Sequence, residues 1–536
     1  MTQRQLADEI GTSIWVVDEM EHGRRDATGF TALIESTTRK PAGWLSVLPA
    51  NPKTSGSSVR SSARSPSSTE LLDRNLVLGV FVAILTIRFF TESVALLPSA
   101  GNFIDVVLLP VLLCVVAVRP SDERWKADAG AGRYALPSLI FLGICVVSIT
   151  LNISRVAPAP ALLFIYGFLG PILFFYATYR LWPTGQALAL SRMIVAIGLL
   201  QFVTIALFDL PTFAASRNPD DIVGTFGGNA YQLVFFLVVF AALIAGISTF
   251  EPNRRVARYA PLLFGATFLV VFLAQYRALL VSSALTILLI GLMLGSVRGK
   301  GVLVGAAVTV AFVAGLWYVS ANYPAFKFAP TVGAVRDDPL LFLTARIAPG
   351  SDVLSLYGDN PMFIATGTGP GTYSSRAWRT FADVGDAANS EGAAYQYAAK
   401  LTGGQAYRTD VSDRYVTPRL ETATVVLGSN AVNSAYSSYL ALLAEAGVMG
   451  FALIVGMYFS ALLQAGRKAL SAMRGAIDAD PLPALALATT VAFFLLVQMA
   501  FLENWWEVAR VTTPSWMMLA VCWKEFAARS AIRRNS

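Results

Sequence analysis

Past residue 73 the chain is a succession of apolar runs separated by short polar connections. The runs are long enough to cross a hydrocarbon layer of ~30 Å as helices. They predict membrane spans at roughly 75–91, 103–118, 135–151, 160–179, 193–209, 229–248, 259–275, 279–296 and 301–319, then at 435–462, 483–502 and 512–526. Between the ninth and tenth runs, residues 320–433 are polar and read as one large loop. Two other patterns precede the first run. In residues 1–45, Leu6, Ala7, Ile10, Ile14 and Val17 form short apolar stripes suited to two small helices. Residues 46–73 are rich in Ser, Pro and Arg and hold too little apolar surface for a core, so they read as a flexible linker. The expected fold class is an all-α polytopic membrane protein of about 12 transmembrane helices. Its large extracytoplasmic loop lies between helices 9 and 10, and a small α-helical module precedes the linker. The expected divisions are 1–45, 46–73, 74–319 (spans 1–9), 320–433 and 434–536 (spans 10–12 and a tail).

Composition agrees with that pattern. Of 536 residues, 55% are hydrophobic and 14% charged, against about 25% charged in a soluble domain. The mean hydropathy is +0.58. The net charge of +7 is distributed by side. With the N-terminus cytoplasmic, the inside loops and tail hold Arg119, Arg124, Lys126, Arg133, Arg180, Arg192, Arg254, Arg255, Arg258, Arg298, Lys300, Arg467, Lys468, Arg474, Lys524, Arg529, Arg533 and Arg534. The short outside loops hold Arg155, Arg217, Arg277 and Arg510. Twelve spans with both termini inside keep this bias consistent, and a long loop is exempt from the rule. The basic excess thus follows topology and argues against nucleic acid as a partner. No secretory signal opens the chain, so the first span is expected to direct insertion. Cys114, Cys145 and Cys522 each lie in an apolar run, which gives neither a disulfide framework nor a metal site.

Four features on the outer side carry candidate chemistry. Arg277, in FLAQYRALLVSS (272–283), sits between two spans with almost no loop, where an arginine either snorkels or binds an anion with its fork of donors. VGTFGGNAYQ (223–232) follows Arg217 and opens a span, and its glycines allow close backbone approach. ATGTGPGTY (365–373), followed by Arg376 and Arg379, is a glycine-rich run able to cradle a phosphate, although it lacks the Lys-Ser/Thr of a P-loop. NSAYSSYLALLAEAGVMGFALIVGMYF (433–459) runs into a span and places Glu445 in apolar sequence, where a charge is paired or functional; Gly447 and Gly450 there permit close helix packing. Arg88 is the other notable charge inside a span.

Together these resemble the O-antigen polymerase/ligase superfamily of bacterial membrane glycosyltransferases. Gly224, Thr225, Phe226, Gly227 and Asn229 match its Gly-Thr-Phe-Gly-Asn-type turn, and Arg277 its arginine at the opening of a span. Gly367, Gly369, Gly371 and Tyr373 match its Gly-x-Gly-x-Gly element in the large loop. Tyr439, Leu440, Glu445, Gly447 and Gly450 match the element after the loop. The resemblance covers roughly residues 75–526. It implies an envelope polysaccharide polymerase or glycan ligase in the bacterial inner membrane. Such an enzyme transfers a glycan from a polyprenyl-diphosphate donor to a hydroxyl of a glycan or lipid acceptor, outside the membrane and without metal or cofactor.

On that resemblance Arg277, Arg217, Tyr436 and Glu445 are the catalytic candidates. Gly367, Gly369, Gly371, Tyr373, Arg376, Arg379 and Asn229 are the substrate-binding ones. Negative charge builds on the departing diphosphate, and arginines stabilise it; Arg346, Arg408, Arg414 and Arg419 are further outside cations. The family's histidine falls at Tyr436, and the chain's single histidine is His22. A histidine-dependent mechanism is therefore absent, which tilts the choice toward polymerase. Glu391, Glu421, Asp410 and Asp413 are alternative bases. The Asp pairs at 220–221 and 337–338 have no metal-ligand spacing.

The segment TQRQLADEIGTSIWVVDEMEHGRRDATGF resembles a partial repressor-type helix-turn-helix, with Glu21 and Gly23 in place. Protein interaction, regulation, DNA binding or a vestigial fusion all remain open for it. Two other classes compete for the whole chain: a transporter or flippase of lipid-linked glycan, and a non-enzymatic scaffold or sensor. Sugar, acceptor and linkage are not written in the sequence.

Overall fold

A computed structural model of the chain describes residues 67–98, 101, 103–119, 131–227, 230–250, 255–298, 301–322, 339–382, 407–418, 437–474 and 480–535. The module at 1–45, most of the linker, Asn229, Tyr436, Glu391, Glu421, Arg419 and the 337–338 pair lie outside the described residues. The side chains of Arg277 and Arg346 do too.

The described residues are helical and contain no strand. In chain order the longer helices are α1 (Ser68–Arg88), α2 (Ile104–Val118), α3 (Ala135–Leu151), α4 (Pro158–Leu181), α5 (Ala187–Thr204), α6 (Ala230–Phe250), α7 (Arg255–Ala274), α8 (Arg277–Arg298) and α9 (Gly301–Asn322). Within the loop region come α10 (Pro339–Asp359), α11 (Met362–Thr366), α12 (Arg376–Phe381) and α13 (Asp410–Tyr415), and after it α14 (Ser438–Arg474), α15 (Leu482–Leu502) and α16 (Ala509–Asn535). A helix thus lies at each of the twelve apolar runs. Among the described residues seven helical stretches are long and apolar enough to cross a membrane: Ser68–Ser93, Gly132–Leu151, Pro158–Leu181, Ala187–Ser216, Ala230–Phe250, Ser438–Arg474 and Leu482–Leu502. Four shorter apolar helices, Ile104–Val118, Arg258–Ala274, Leu279–Gly295 and Thr309–Val319, accompany them. The chain is an integral membrane protein.

The first helix begins at Ser68, inside the stretch assigned above to the linker. The reason is local. The Ser67 hydroxyl accepts the Glu70 N–H and the Glu70 carboxylate accepts the Ser67 N–H, a reciprocal cap that stabilises a start by about 1 kcal/mol.

Burial sorts the helices. α6 and α15 are apolar all round and buried on nearly every side, so they form the centre. They cross closely because Gly246 meets Ala484: a Cβ on Gly246 would lie 2.5 Å from the Ala484 Cα. α3 instead exposes Leu136, Leu139, Ile140, Val146, Val147 and Leu151. An apolar surface of that kind needs hydrocarbon against it. Aromatic rings fill the space between α4, α14 and α16, with Tyr458 stacked on Trp506 at 4.4 Å and Trp516 edge-on to Tyr134 at 5.0 Å.

The two ends of the bundle differ. At one end the Glu525 carboxylate caps the turn into α5, accepting the N–H groups of Gly185 (2.9 Å) and Gln186 (2.8 Å). Lys524 Nζ reaches the Arg180 carbonyl, and Arg529 pairs with Asp480. At the other end the start of α4, the breaks around α14 and α15, and the loop elements α11 and α12 come together. The candidate chemistry gathers at this second end.

Candidate functional site

α14 is not one helix. At Gly447 the backbone has φ +67° and ψ −177°, which breaks the helix two turns after its start. The break is forced by a neighbour. The segment Ala365–Gly367 crosses there so closely that a Cβ on Gly447 would lie 2.7 Å from the Ala365 carbonyl carbon and 2.9 Å from the Gly367 nitrogen. The crossing segment then caps the broken end, as Thr368 N–H bonds the Ala444 carbonyl (2.8 Å) and Gly369 N–H the Glu445 carbonyl (3.2 Å). Gly447→Ala should cost at least about 2 kcal/mol, from a backbone region few residues but glycine adopt plus the backbone clash. Its check is the thermal half-life in detergent, which should drop relative to Gly456→Ala, a change at a position with open space around it.

Glu445 organises the loop segment at 371–375. Fully buried, its carboxylate accepts backbone N–H groups from Gly371 (2.5 Å), Tyr373 (3.0 Å) and Ser375 (2.9 Å). Residues 371–375 form a succession of turns and bends, with Gly371 at φ +74°, and this curl turns three alternate N–H groups toward one carboxylate. Threonines tie the rest. Thr368 and Thr372 hydroxyls meet at 2.7 Å, Thr409 donates to the Thr372 carbonyl (2.7 Å), and Asn504 Nδ2 donates to the Ser374 carbonyl (2.6 Å).

The glycine-rich run therefore differs from the phosphate cradle that its sequence suggests. The donors of Gly371, Tyr373 and Ser375 are taken by Glu445, and those of Thr368 and Gly369 by the broken helix. Its glycines allow contact with protein: a Cβ on Gly371 would lie 2.7 Å from Pro160, and one on Gly367 would lie 2.3 Å from the Glu445 backbone. Tyr373 is fully buried in a small core with Val353, Phe363, Trp378 and Val411. Glu445, a catalytic candidate above, spends its oxygens on this backbone.

What this segment delivers is Arg376. Ser375 caps α12 by accepting the Trp378 N–H (3.1 Å), which fixes Arg376 on the first turn, half-buried, with Arg379 one turn on. Arg376 acts electrostatically on Arg510, at the start of α16, and Arg510 also senses Arg88, Glu92 and Asp105. Arg88 closes α1, is 5% exposed and pairs with Glu92 (3.2 Å). Asp105 opens α2 and accepts the Tyr166 hydroxyl (2.8 Å). Glu507 lies under Arg376 in the turn between α15 and α16, its Oε2 3.4 Å from the Ala377 nitrogen.

The turn VGTFGG joins the same cluster. Asp209 accepts the N–H groups of Val223 (2.8 Å) and Gly224 (2.6 Å). Gln201 accepts the N–H of Thr225 (2.8 Å), and the Thr225 hydroxyl reaches the Leu85 carbonyl of α1 (3.0 Å). Gly227 is thereby pressed against Arg88 and Glu92, with 2.4 Å from its ideal Cβ position to Glu92 Oε2. Arg217 is exposed at a left-handed position that closes the helix before this turn. Among the described residues no hydrogen bond or ion pair links it to the cluster. Arg277 opens α8.

Two motifs distant in sequence, residues 223–227 and 365–376, thus converge on three arginines and three carboxylates. Burial pushes the Glu507 carboxyl up to about 8, with the Glu445 charge adding to it, so below that pH Glu507 is largely neutral. Among the described residues of this cluster, Arg88, Arg376 and Arg510 then outnumber Glu92 and Asp105, a balance chemically suited to an anion. Among the described residues no cluster of His, Cys, Asp or Glu is placed to hold a metal ion. Beside the cluster's loop, α10, the start of α14 and the end of α15 enclose a cavity of about 550 Å³, lined mainly by apolar groups including Val353, Leu354, Tyr439, Leu440, Leu443 and Phe501.

Arg510, Glu507 and Asp105 were not singled out as site residues from the sequence. The available signal was ENWWEVAR, residues 503–510, in which Glu503, Glu507 and Arg510 recur at helical spacing beside two buried tryptophans. No protein-family model matches the chain, and no curated protein matches it.

Proposed function

We propose that the chain is an envelope glycosyltransferase of polymerase or ligase type. It takes a glycan from a polyprenyl-diphosphate donor and joins it to an acceptor hydroxyl at the arginine-bearing end of the bundle, on the outer face of a bacterial inner membrane. The observation that carries this reading is the convergence of both glycine motifs on Arg88, Arg376 and Arg510. A diphosphate leaving group needs cations where its charge develops, in a setting that excludes water. The apolar cavity of about 550 Å³ next to Ser437 gives a lipid tail room on the same side of the protein. Twelve spans with both termini cytoplasmic fit this reading, because the grouping of helix ends puts the basic tail of α16 opposite the arginine cluster.

In this mechanism the acceptor hydroxyl oxygen attacks the anomeric carbon, the anomeric C–O bond breaks with its electron pair staying on the diphosphate oxygen, whose charge the arginines stabilise, and the hydroxyl proton passes to the departing diphosphate. Arg277 opens α8, and its guanidinium fork suits the same leaving group. Replacing it by alanine should lower transfer about a hundredfold with normal insertion, read as polymer length and as lipid-linked units left unused in cells. Full activity in the Arg277→Ala cells would remove that residue from the mechanism.

One observation favours a second reading. Transporters build their sites at broken helices, and α14 is broken at Gly447. Movement of lipid-linked glycan across vesicles with no new glycosidic bond would select it.

A further inference from the structure

Gln232 is the third residue of α6, just past the VGTFGG turn, and is 0% exposed. Its Nε2 donates to the Tyr231 hydroxyl (3.0 Å), and Tyr231 is held edge-on against Trp505 at 5.3 Å. That bond fixes which way the amide points. The amide oxygen Oε1 is buried and, among the described residues, meets no donor. An acceptor left unmet inside a bundle is costly and calls for a partner. Gln232 lines a cavity of about 20 Å³ together with Arg510 and Ser515, and the other lining side chains are apolar. These three polar groups match one water, which needs about 10–15 Å³ and two to four polar partners. Ser515 gives its hydrogen to the Val511 carbonyl (2.6 Å), so its oxygen is left as an acceptor. Gln232 Oε1 is a second acceptor, and the Arg510 guanidinium carries only donors. One water can donate to both oxygens and accept from the guanidinium.

We propose that Gln232 is a positioning residue for Arg510, acting through one internal water that it shares with Ser515 in this cavity. The bridge ties one donor of the guanidinium to α6, so the rest of the fork stays turned toward the cluster. A donor fixed before the reaction stabilises developing charge without having to reorganise. Phe226 lines the same cavity, so the VGTFGG turn and the residue that follows it shape the ground on which Arg510 stands. The catalytic role rests on the transferase reading; the water itself does not.

Two measurements test it. The first is X-ray radiolysis of the full-length protein in nanodiscs, which turns a bound water into a hydroxyl radical that oxidises the side chain beside it. Met518 lines the cavity and is 3% exposed, whereas Met499 is 0% exposed and lies outside it. Met518 should be oxidised well above Met499 in the wild type. Gln232→Leu should bring it down to the level of Met499, and Ser515→Ala, which removes the other acceptor, should lower it too. Equal oxidation of the two methionines in the wild type, or undiminished oxidation of Met518 in Gln232→Leu, would overturn the water bridge. The second measurement is transfer from a lipid-linked donor by purified, folded protein. Gln232→Leu should lower kcat about tenfold and leave KM for the donor unchanged. In an Arg510→Lys background the same change should add little, because the fork that the bridge positions is gone. A further full tenfold loss there, or wild-type kcat in the single variant, would overturn the positioning role. If Arg510→Ala itself leaves transfer intact, the transferase reading fails, while the radiolysis still decides the water.

Discussion

Arg510→Ala is expected to cut glycan transfer by about two to three orders of magnitude, the usual cost of removing one donor from a preorganised charge-stabilising site. The protein should still insert and accumulate, because Arg510 lies at the start of α16 with partial exposure and its partners can pair with one another. Arg88 has Glu92 at 3.2 Å, and Asp105 has the Tyr166 hydroxyl. Arg510→Lys keeps a charge but loses the planar fork, so an intermediate rate is expected. The measurement is transfer from a lipid-linked donor by purified variants, with the folded fraction checked by size exclusion.

The second large effect is on the fold. Glu445→Ala leaves the N–H groups of Gly371, Tyr373 and Ser375 buried without acceptors. Each orphan donor costs about 1–3 kcal/mol, so three together approach the whole net stability of a typical domain, about 5–15 kcal/mol. The strip, and with it Arg376 and α12, should come away from α14. Limited proteolysis should then cut between residues 366 and 380, where the wild type resists. Glu445→Gln keeps an acceptor oxygen and should fall between the two. A cleavage pattern identical to wild type in Glu445→Ala would show that the threonine ties alone hold the strip.

The two variants separate roles that the sequence blends. Glu445 and the glycines around it read as one chemical motif, since a carboxylate in apolar sequence is either paired or reactive. The structure gives its oxygens to backbone N–H groups. Which donors a carboxylate meets depends on a segment some seventy residues away in the chain, and no spacing rule reports that. The break at Gly447 was hidden for the same reason: Gly447 and Gly450 suit close packing, and only the crossing of Ala365–Gly367 turns the first of them into a break. The helix positions were legible because an apolar run needs no partner to be recognised. Their limits were less so, and α1 starts early through the Ser67–Glu70 cap. Of the arginine cluster, Arg88 was visible as a charge within a span. Arg510 looked like an ordinary loop arginine until α1, α2 and α12 brought Arg88, Asp105 and Arg376 to it.

The most direct test of the transferase reading is the profile of lipid-linked glycans and finished polymer in cells lacking the chain, rescued by wild type or by Arg510→Ala. Accumulation of lipid-linked units and loss of polymer, restored by wild type and not by the variant at equal protein level, is the expected result. An unchanged profile on deletion, or full rescue by Arg510→Ala, would contradict it.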